Sequence, residues 1–419
     1  MARGKIFYGW WVAVAFCVIV FLSTGLRFTV GPFLKPLVAD LGLDRGSFSL
    51  VISLSLFLYG AFMPVVGRLV DRFGSRLVVT IGALVLAVSL AATGRATTLW
   101  ELYLFYGIIA AVGFAATGHV VAAAILVRWF VKRRGTVVGV LSGASMAGMT
   151  FLVPISMWFI LTVGWRTTYL LLGVFTLVLV LPLSLWVLRD NPEAIGQHPD
   201  GLAPDTGRGV SAGLVERTAV SEALQTPPFW QLSGGLFTCG FSMSLLSAHG
   251  VPMLTDHGFH PMTASWALGL LGGTSIAGAT ALGLISDRLG RKPVLASIYF
   301  LRALAFSVLF LAHDSLTLVV VAIIGGFGMG GSLAMTAALS GDIFGRFSVG
   351  SIFGLIFLVH QAGASLGSWL AGFLFDLTGA YGAAFAVACG LLLLGSLLSL
   401  TIDERFKRPA PAPVLAGGR

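Results

Sequence analysis

Residues Gly67–Arg76 read GRLVDRFGSR, and residues Gly283–Lys292, 216 positions later, read GLISDRLGRK. A second pair repeats at nearly the same offset. GTVVGV at Gly135–Val140, followed by Ala147-Gly148, matches GSIFGL at Gly350–Leu355, followed by Ala362-Gly363, 215 positions on. Two independent matches at one offset imply an internal duplication. Each charged turn follows a long apolar stretch, so the duplicated unit is a set of apolar helices joined by short polar turns.

Composition says what those helices cross. Hydrophobic residues make up 57% of the 419 and charged residues only 10%, against roughly 25% charged in soluble domains. Apolar stretches of about 20 residues, the length that crosses a bilayer as a helix, recur along the chain. Lipid offers no partner to a free backbone amide, so spanning segments are helices or closed barrels. Continuous apolar runs of this length are helical, because barrel strands are shorter and alternate. The spacing predicts spans near 8–38, 47–70, 77–96, 100–128, 135–163, 167–188, 228–255, 262–286, 293–312, 315–341, 350–375 and 380–401. The predicted fold is all-α: a polytopic membrane protein of twelve transmembrane helices in two pseudo-symmetric six-helix bundles. The first bundle covers 1–190 and the second 228–403. A linker of Pro, Gly, Asp and Thr covers 191–227, with a short surface helix around Val220–Leu224, and a polar tail covers 404–419. Abundant Gly, 54 residues, fits close helix packing in lipid.

The aromatic start Tyr8-Gly9-Trp10-Trp11 reads as an interface belt, and the first span is too long for a cleavable signal. About 20 of the 26 Lys and Arg fall in or beside segments on the side of both termini, so the positive-inside rule places both termini in the cytoplasm, in an inner or plasma membrane. The net charge of +9 is therefore a topology signal rather than a nucleic-acid-binding surface. Cys17, Cys239 and Cys389 lie in apolar stretches without metal-ligand spacing. No phosphate-binding loop of the GxxxxGK[ST] type, nucleophile triad or metal cluster is found, so neither an enzyme nor a cofactor is expected.

The paired DR-x-G-x-[RK] turns resemble the signature of the major facilitator superfamily. More narrowly, the chain resembles its monocarboxylate transporter and oxalate:formate antiporter branch. The likeness is carried by FYGWW at Phe7–Trp11, RWFVKRRGTVVGVLSGASMAG at Arg128–Gly148, GWR at Gly164–Arg166, DNPEAIGQHPDG at Asp190–Gly201, PPFW at Pro227–Trp230 and FDLTGAY at Phe375–Tyr381. The resemblance implies a secondary transporter working by alternating access. It places the first, fourth, seventh and tenth spans around a cavity and the second, fifth, eighth and eleventh at the domain interface.

The turns supply a candidate conformational latch: Gly67, Asp71, Arg72 and Arg76 in one half, Gly283, Asp287, Arg288 and Arg291 in the other. Their carboxylates can hold a neighbouring helix end or pair with Arg as the halves rock. The candidate substrate contacts are the ionisable groups within spans, which are costly there and usually functional. None is acidic. They are Arg27, His119, His249, Arg302 and His360, with Gln361, Thr117 and Ser332 as polar neighbours. A guanidinium offers a planar fork to a carboxylate, and a His can bind an anion or carry a proton. Arg27 could instead be packed against backbone carbonyls or snorkel to the outer interface, and Arg302 could instead tie helices together. Carboxylate carriers of this branch place an Arg in the eighth span, and proton-coupled ones an Asp one turn earlier. Here that span reads WALGLLGGTSIAGATALGLISDR, uncharged until Asp287. The expected activity is transport of a small organic anion, foremost a monocarboxylate such as lactate or pyruvate, by proton symport or anion exchange. The partners are that anion, protons and the lipid bilayer, with no nucleic acid, and the chain is expected to work as a monomer. The rival readings are a drug or metabolite exporter of the same fold and a non-transporting membrane sensor.

Overall fold

The computed structural model describes residues 7–201, 219–344 and 349–403, and every regular element among them is helical. The predicted tail and the middle of the predicted linker lie outside the described residues. Among the described residues, ten stretches are long and apolar enough to cross a bilayer. One, Gly135–Val187, is 53 residues long and folds back at Gly164, where φ is +79°, so it makes two passages. Pro227–Asp256, 30 residues long, makes one more. Its weaker hydropathy comes from Ser, Thr, Gly and His residues that are buried against protein.

The first span is Gly9–Phe28 continued by Val30–Leu41, and the second is Arg45–Phe73. The third is Ser75–Thr93, and the fourth runs over Leu99–Trp129. The fifth and sixth share Arg134–Pro182 on either side of Gly164. In the second half come Pro227–Asp256, Pro261–Leu289, Arg291–Phe310, the pair Ser315–Met329 and Ser332–Phe344, Val349–Thr378 and Gly382–Thr401. These are the seventh to twelfth spans. A short helix, Val220–Ala223, precedes them.

The duplication read from sequence is a duplication of packing. The first span packs on the fifth as the seventh packs on the eleventh. A Cβ on Gly148 would strike the carbonyl of Phe21, and one on Gly363 the carbonyl of Phe237, so the paired Ala-Gly motifs do one job twice. The turns repeat as well: Gly74 and Gly290 have φ of +83° and +87°, and Gly164 and Gly379 have +79° and +71°. A side chain is strained in that left-handed region, which is why Gly recurs there. The halves meet where the second span packs on the eleventh and the fifth on the eighth.

Two spans are broken, both at corresponding places. The fourth stops at Ala116 and restarts at His119 through an extended Gly118. The tenth stops at Met329 and restarts at Ser332 through Gly330 and Gly331, the latter at φ +93°. Irregular backbone at membrane depth survives only where protein or a cavity satisfies it. Residues that follow the sixth span dock on the first half. The Asp190 carboxylate accepts from the Ser75 N–H, and Asp200 accepts from the N–H groups of Val131 and Lys132 at 3.0 and 2.8 Å. This marks the face that carries the charged turns, the linker face. The opposite one is the far face.

Candidate functional site

A cavity lies at the centre of the interface between the halves. The first, second and fourth spans line it from one side, the seventh and eleventh from the other. Its wall is part apolar (Phe28, Ile52, Leu56, Met243) and part polar (Arg27, Ser55, Tyr106, Ser244, Ser247, His360, Gln361), with no carboxylate among the lining residues.

Arg27 sits in the last turn of Gly9–Phe28, near the middle of the first span. Its guanidinium carbon lies 4.3 Å from the centroid of the Tyr59 ring, and its Nη1 is buried with no hydrogen-bond partner. Leaving a charged donor in that condition costs more than the 1–3 kcal/mol or so of an unsatisfied neutral group. A group kept so is a group waiting for an acceptor. Across the cavity, the His360 Nδ1 is 2.9 Å from the Gln361 Oε1, and the His360 Nε2 has no partner. The Ser244 hydroxyl is also buried and unpaired. Thus three of the unpaired polar atoms converge on one space, two from the second half and one from the first.

Arg302, in contrast, does not line the cavity. It is buried inside the second half, at 1% exposure, and both of its terminal nitrogens are hydrogen-bonded, only Nε having no partner. Nη2 donates to the carbonyls of Gly328 and Met329, each at 3.1 Å. Nη1 donates to the Cys239 Sγ at 3.1 Å and the Ser242 Oγ at 3.4 Å. Those carbonyls end the first segment of the broken tenth span, so Arg302 caps the break and ties the seventh, ninth and tenth spans together. Ser332 begins the next segment, and its Oγ lies 3.2 Å from the Cys239 Sγ, within the same cluster.

The break in the fourth span is satisfied by hydroxyls. Thr117 Oγ1 donates to the Gly113 carbonyl at 2.9 Å and lies 2.8 Å from the Ser23 Oγ, one turn before Arg27. His119 begins the following segment, with Nδ1 3.4 Å from the Ser145 Oγ. Neither residue lines the cavity in this conformation.

His249 belongs to the far face. Its Nε2–H donates to the Ser368 carbonyl at 2.9 Å, and its Nδ1 lies 3.1 Å from the Tyr381 hydroxyl. Tyr381 in turn accepts from the Arg45 Nη1 at 2.7 Å. Arg45 makes a two-pronged pair with Asp256, at 2.6 and 3.2 Å, and Lys35 reaches the same carboxylate at 2.6 Å. The backbone N–H groups of Arg45 and Gly46 donate to Asp376 at 3.1 and 2.6 Å. Lys35, Arg45 and Gly46 come from the first half, the other members from the second, so this network seals the far face across the interface. Its origin is visible in the repeat. In the first half Asp40 pairs with Arg166. The corresponding positions in the second half are Asp256 and Tyr381, where no cation is available, and Arg45 from the other half fills the gap.

At the linker face the charged turns make local pairs. Asp71 accepts from the Arg128 Nη2 at 2.7 Å, and Arg291 pairs with Asp342 and donates to the Ala338 carbonyl at 3.1 Å. Both pairs stay within one half. Arg72 lies over the ring of Phe73, its own neighbour. Gly67 and Gly283 meet nothing that a Cβ would strike. Arg76 and Arg288 make no cross-half ion pair among the described residues, and the Asp287 side chain is outside the description. Among the described residues, the ion pairs that join the halves are those at the far face.

Of the sequence-predicted contacts, the structure therefore gathers Arg27, His360 and Gln361 and disperses the others. It adds Ser244, Ser55 and Tyr106. Ser244 carried a signal in sequence, the low hydropathy of the seventh span, but single hydroxyls in apolar helices are too common to stand out.

The comparisons with known proteins agree with this architecture. The Major Facilitator Superfamily model matches residues 16–253 and 232–417. An uncharacterized MFS-type transporter of Bacillus subtilis, YcxA, is 25% identical, covering 93% of this chain and 94% of its own. Monocarboxylate transporter 13 of Rattus norvegicus is 27% identical, covering 95% and 90%. Monocarboxylate transporter 11 of Mus musculus is 29% identical, covering 95% and 88%. Among solved structures, a bacterial homolog of the human lysosomal transporter Spinster, inward-facing and unoccupied, has the same fold, with a TM-score of 0.68 at 18% identity over 96% of this chain and 95% of that one. The duplicated bundles, the paired turns and the family match lead to one conclusion: the chain is a multi-pass membrane transporter, not an enzyme, and belongs to the Major Facilitator Superfamily.

Proposed function

We propose that this transporter carries a small organic anion, foremost a monocarboxylate such as lactate or pyruvate, across an inner or plasma membrane, with both termini and the linker face in the cytoplasm. The observation that carries the reading is the unpaired, buried Nη1 of Arg27 in a cavity lined by no carboxylate. A cation-binding cavity would need the reverse, an acid without a counter-charge. The mixed wall suits a short carbon chain with one charged end. In the cycle, the anion binds Arg27 from the cytoplasmic side in the present far-face-closed state. The halves then rock, breaking the Arg45–Asp256 pair and closing the linker face. The monocarboxylate transporters among the relatives support the substrate class.

Uptake of radiolabelled lactate, pyruvate, formate, oxalate and acetate into proteoliposomes tests this. Accumulation of at least one, competed by unlabelled anion and lost in Arg27→Gln, is the expected result. No accumulation above empty vesicles, with or without a pH gradient, removes the anion reading and leaves an exporter of other metabolites or a sensor.

A further inference from the structure

We propose that His257 and His313 form a site at the far face for a late first-row divalent cation such as Zn2+ or Ni2+. The inference stands apart from the substrate reading and does not depend on it. Along the chain the two residues are 56 positions apart, so no ligand spacing announces them. His257 follows the last residue of the seventh span, and His313 lies in the connection between the ninth and tenth. The fold brings the two rings together, with centroids 5.6 Å apart and planes 2° from parallel.

That spacing suits a shared ion. A zinc–nitrogen bond is about 2.0–2.1 Å long, so two imidazoles on one ion at a tetrahedral angle have centroids roughly 5 Å apart. One ring is already set for the task. The His313 Nδ1 lies 2.7 Å from the Leu311 carbonyl. A carbonyl only accepts, so Nδ1 carries the hydrogen and Nε2 presents its lone pair. Metal-bound histidines ordinarily have this backing, which fixes tautomer and orientation. The other ring is unfilled. His257 packs against Phe310, centroids 5.7 Å apart, and its Nδ1 is buried with no hydrogen-bond partner. A buried nitrogen left so is a cost that a ligand relieves. With no hydrogen bond to hold it, the His257 ring can turn to meet an ion on the His313 Nε2 without any movement of the backbone.

The ligand set decides the ion. Asp256, beside His257, is committed to Lys35 and Arg45. Asp314, beside His313, accepts from the Thr317 N–H and hydroxyl at 2.8 and 2.6 Å. Among the described residues no group of three metal-ligating side chains gathers, so water completes the coordination and the ion is exchangeable. Two imidazole nitrogens select zinc, nickel or copper over Mg2+ and Ca2+, which take oxygen ligands. The bound ion ties the end of the seventh span to the ninth–tenth connection within the second half.

The test is a metal titration. The full chain is purified in detergent, freed of any histidine tag and stripped with a chelator that is then removed. Zinc chloride, nickel chloride and magnesium chloride are titrated in separately while heat is measured. The expected result is saturable binding of a single Zn2+ or Ni2+ per chain and no binding of Mg2+. His313 is exposed, so His313→Ala removes a ligand without disturbing the packing. Losing a ligand costs at least what losing its supporting residue does, so affinity should fall by about tenfold or more. His257→Ala should do the same. His260→Asn removes a third far-face imidazole, whose Nδ1 is occupied by the Met262 N–H at 3.2 Å, and should leave affinity unchanged. No saturable binding by the wild type overturns the proposal. So does binding that survives both His313→Ala and His257→Ala, or that His260→Asn weakens equally. In every case the anion reading is untouched.

Discussion

Two arginines lie at membrane depth, and their terminal nitrogens are in different conditions. Arg302 is enclosed in the second half with carbonyls, a thiol and a hydroxyl around its two terminal nitrogens and only Nε unpaired, while Arg27 faces the cavity with a terminal nitrogen unsatisfied. Removing a guanidinium from water costs several kcal/mol. In one case the fold itself repays that cost, and in the other the repayment is left to a ligand. The lesson is that a buried charge points to a ligand where its unfilled hydrogen-bonding capacity opens on a cavity. Arg45 gives a third case, because its partners are complete but belong to the other half, so its satisfaction depends on the state of the transporter.

The comparison can be broken most directly at Arg302. Arg302→Met should lose about 2–5 kcal/mol, because the Gly328 and Met329 carbonyls are left buried without donors. Thermal unfolding in detergent reads this, and a variant as stable as the wild type would remove the structural role. Arg27→Gln should show the reverse, a stable protein whose anion affinity falls about 10–100-fold, the worth of a charge-assisted bond. Loss of folded protein there would erase the distinction between the two residues.

The third case is read by labelling. In a cysteine-free background carrying Ser247→Cys in the cavity wall, Asp256→Asn should raise modification by an impermeant maleimide from the far face about fivefold. That corresponds to roughly 1 kcal/mol, the upper range for partly exposed pairs. Asp71→Asn, which breaks a pair within one half, should leave the rate unchanged. Equal effects would mean that both faces gate alike.

The smallest effect is expected at Asp44, a helix-capping charge. It caps the second span by accepting from the Ser47 N–H, and that bond holds its carboxyl below the usual carboxylate range. A folded-state value below the unfolded one means that its contribution is present above the ordinary aspartate value, about 3.9, and fades as pH falls through the folded value. Asp44→Ala should lower stability by about 1 kcal/mol or less, without altering uptake or far-face labelling. The loss should be visible at neutral pH and absent in strong acid.

Much of this was legible in the sequence. The repeat at 215 and 216 residues fixed the pairing of turns, and the structure places the same Gly in the same left-handed conformation at each. Arg27, His360 and Gln361 were found as charge or amide inside apolar spans, where such groups are expensive. The far-face seal was not found, because Arg45, Asp256 and Tyr381 sit at span ends, where polar residues are ordinary. Nor could the linker-face pairs be assigned to one half or two, since Asp71 has Arg neighbours from several turns and only proximity selects Arg128.

The amino-acid sequence by itself determined that the chain crosses a membrane, that it does so in two repeated sets of helices, and that its buried charge is basic. Hydropathy, repeat offset and residue type are properties of the chain read along its length. Which arginine is free was decided only by the tertiary structure. Arg27 and Arg302 are alike along the chain, each alone in an apolar helix. They differ because the tenth span breaks beside Arg302 and offers it two bare carbonyls, whereas the space beside Arg27 lies between halves that must separate.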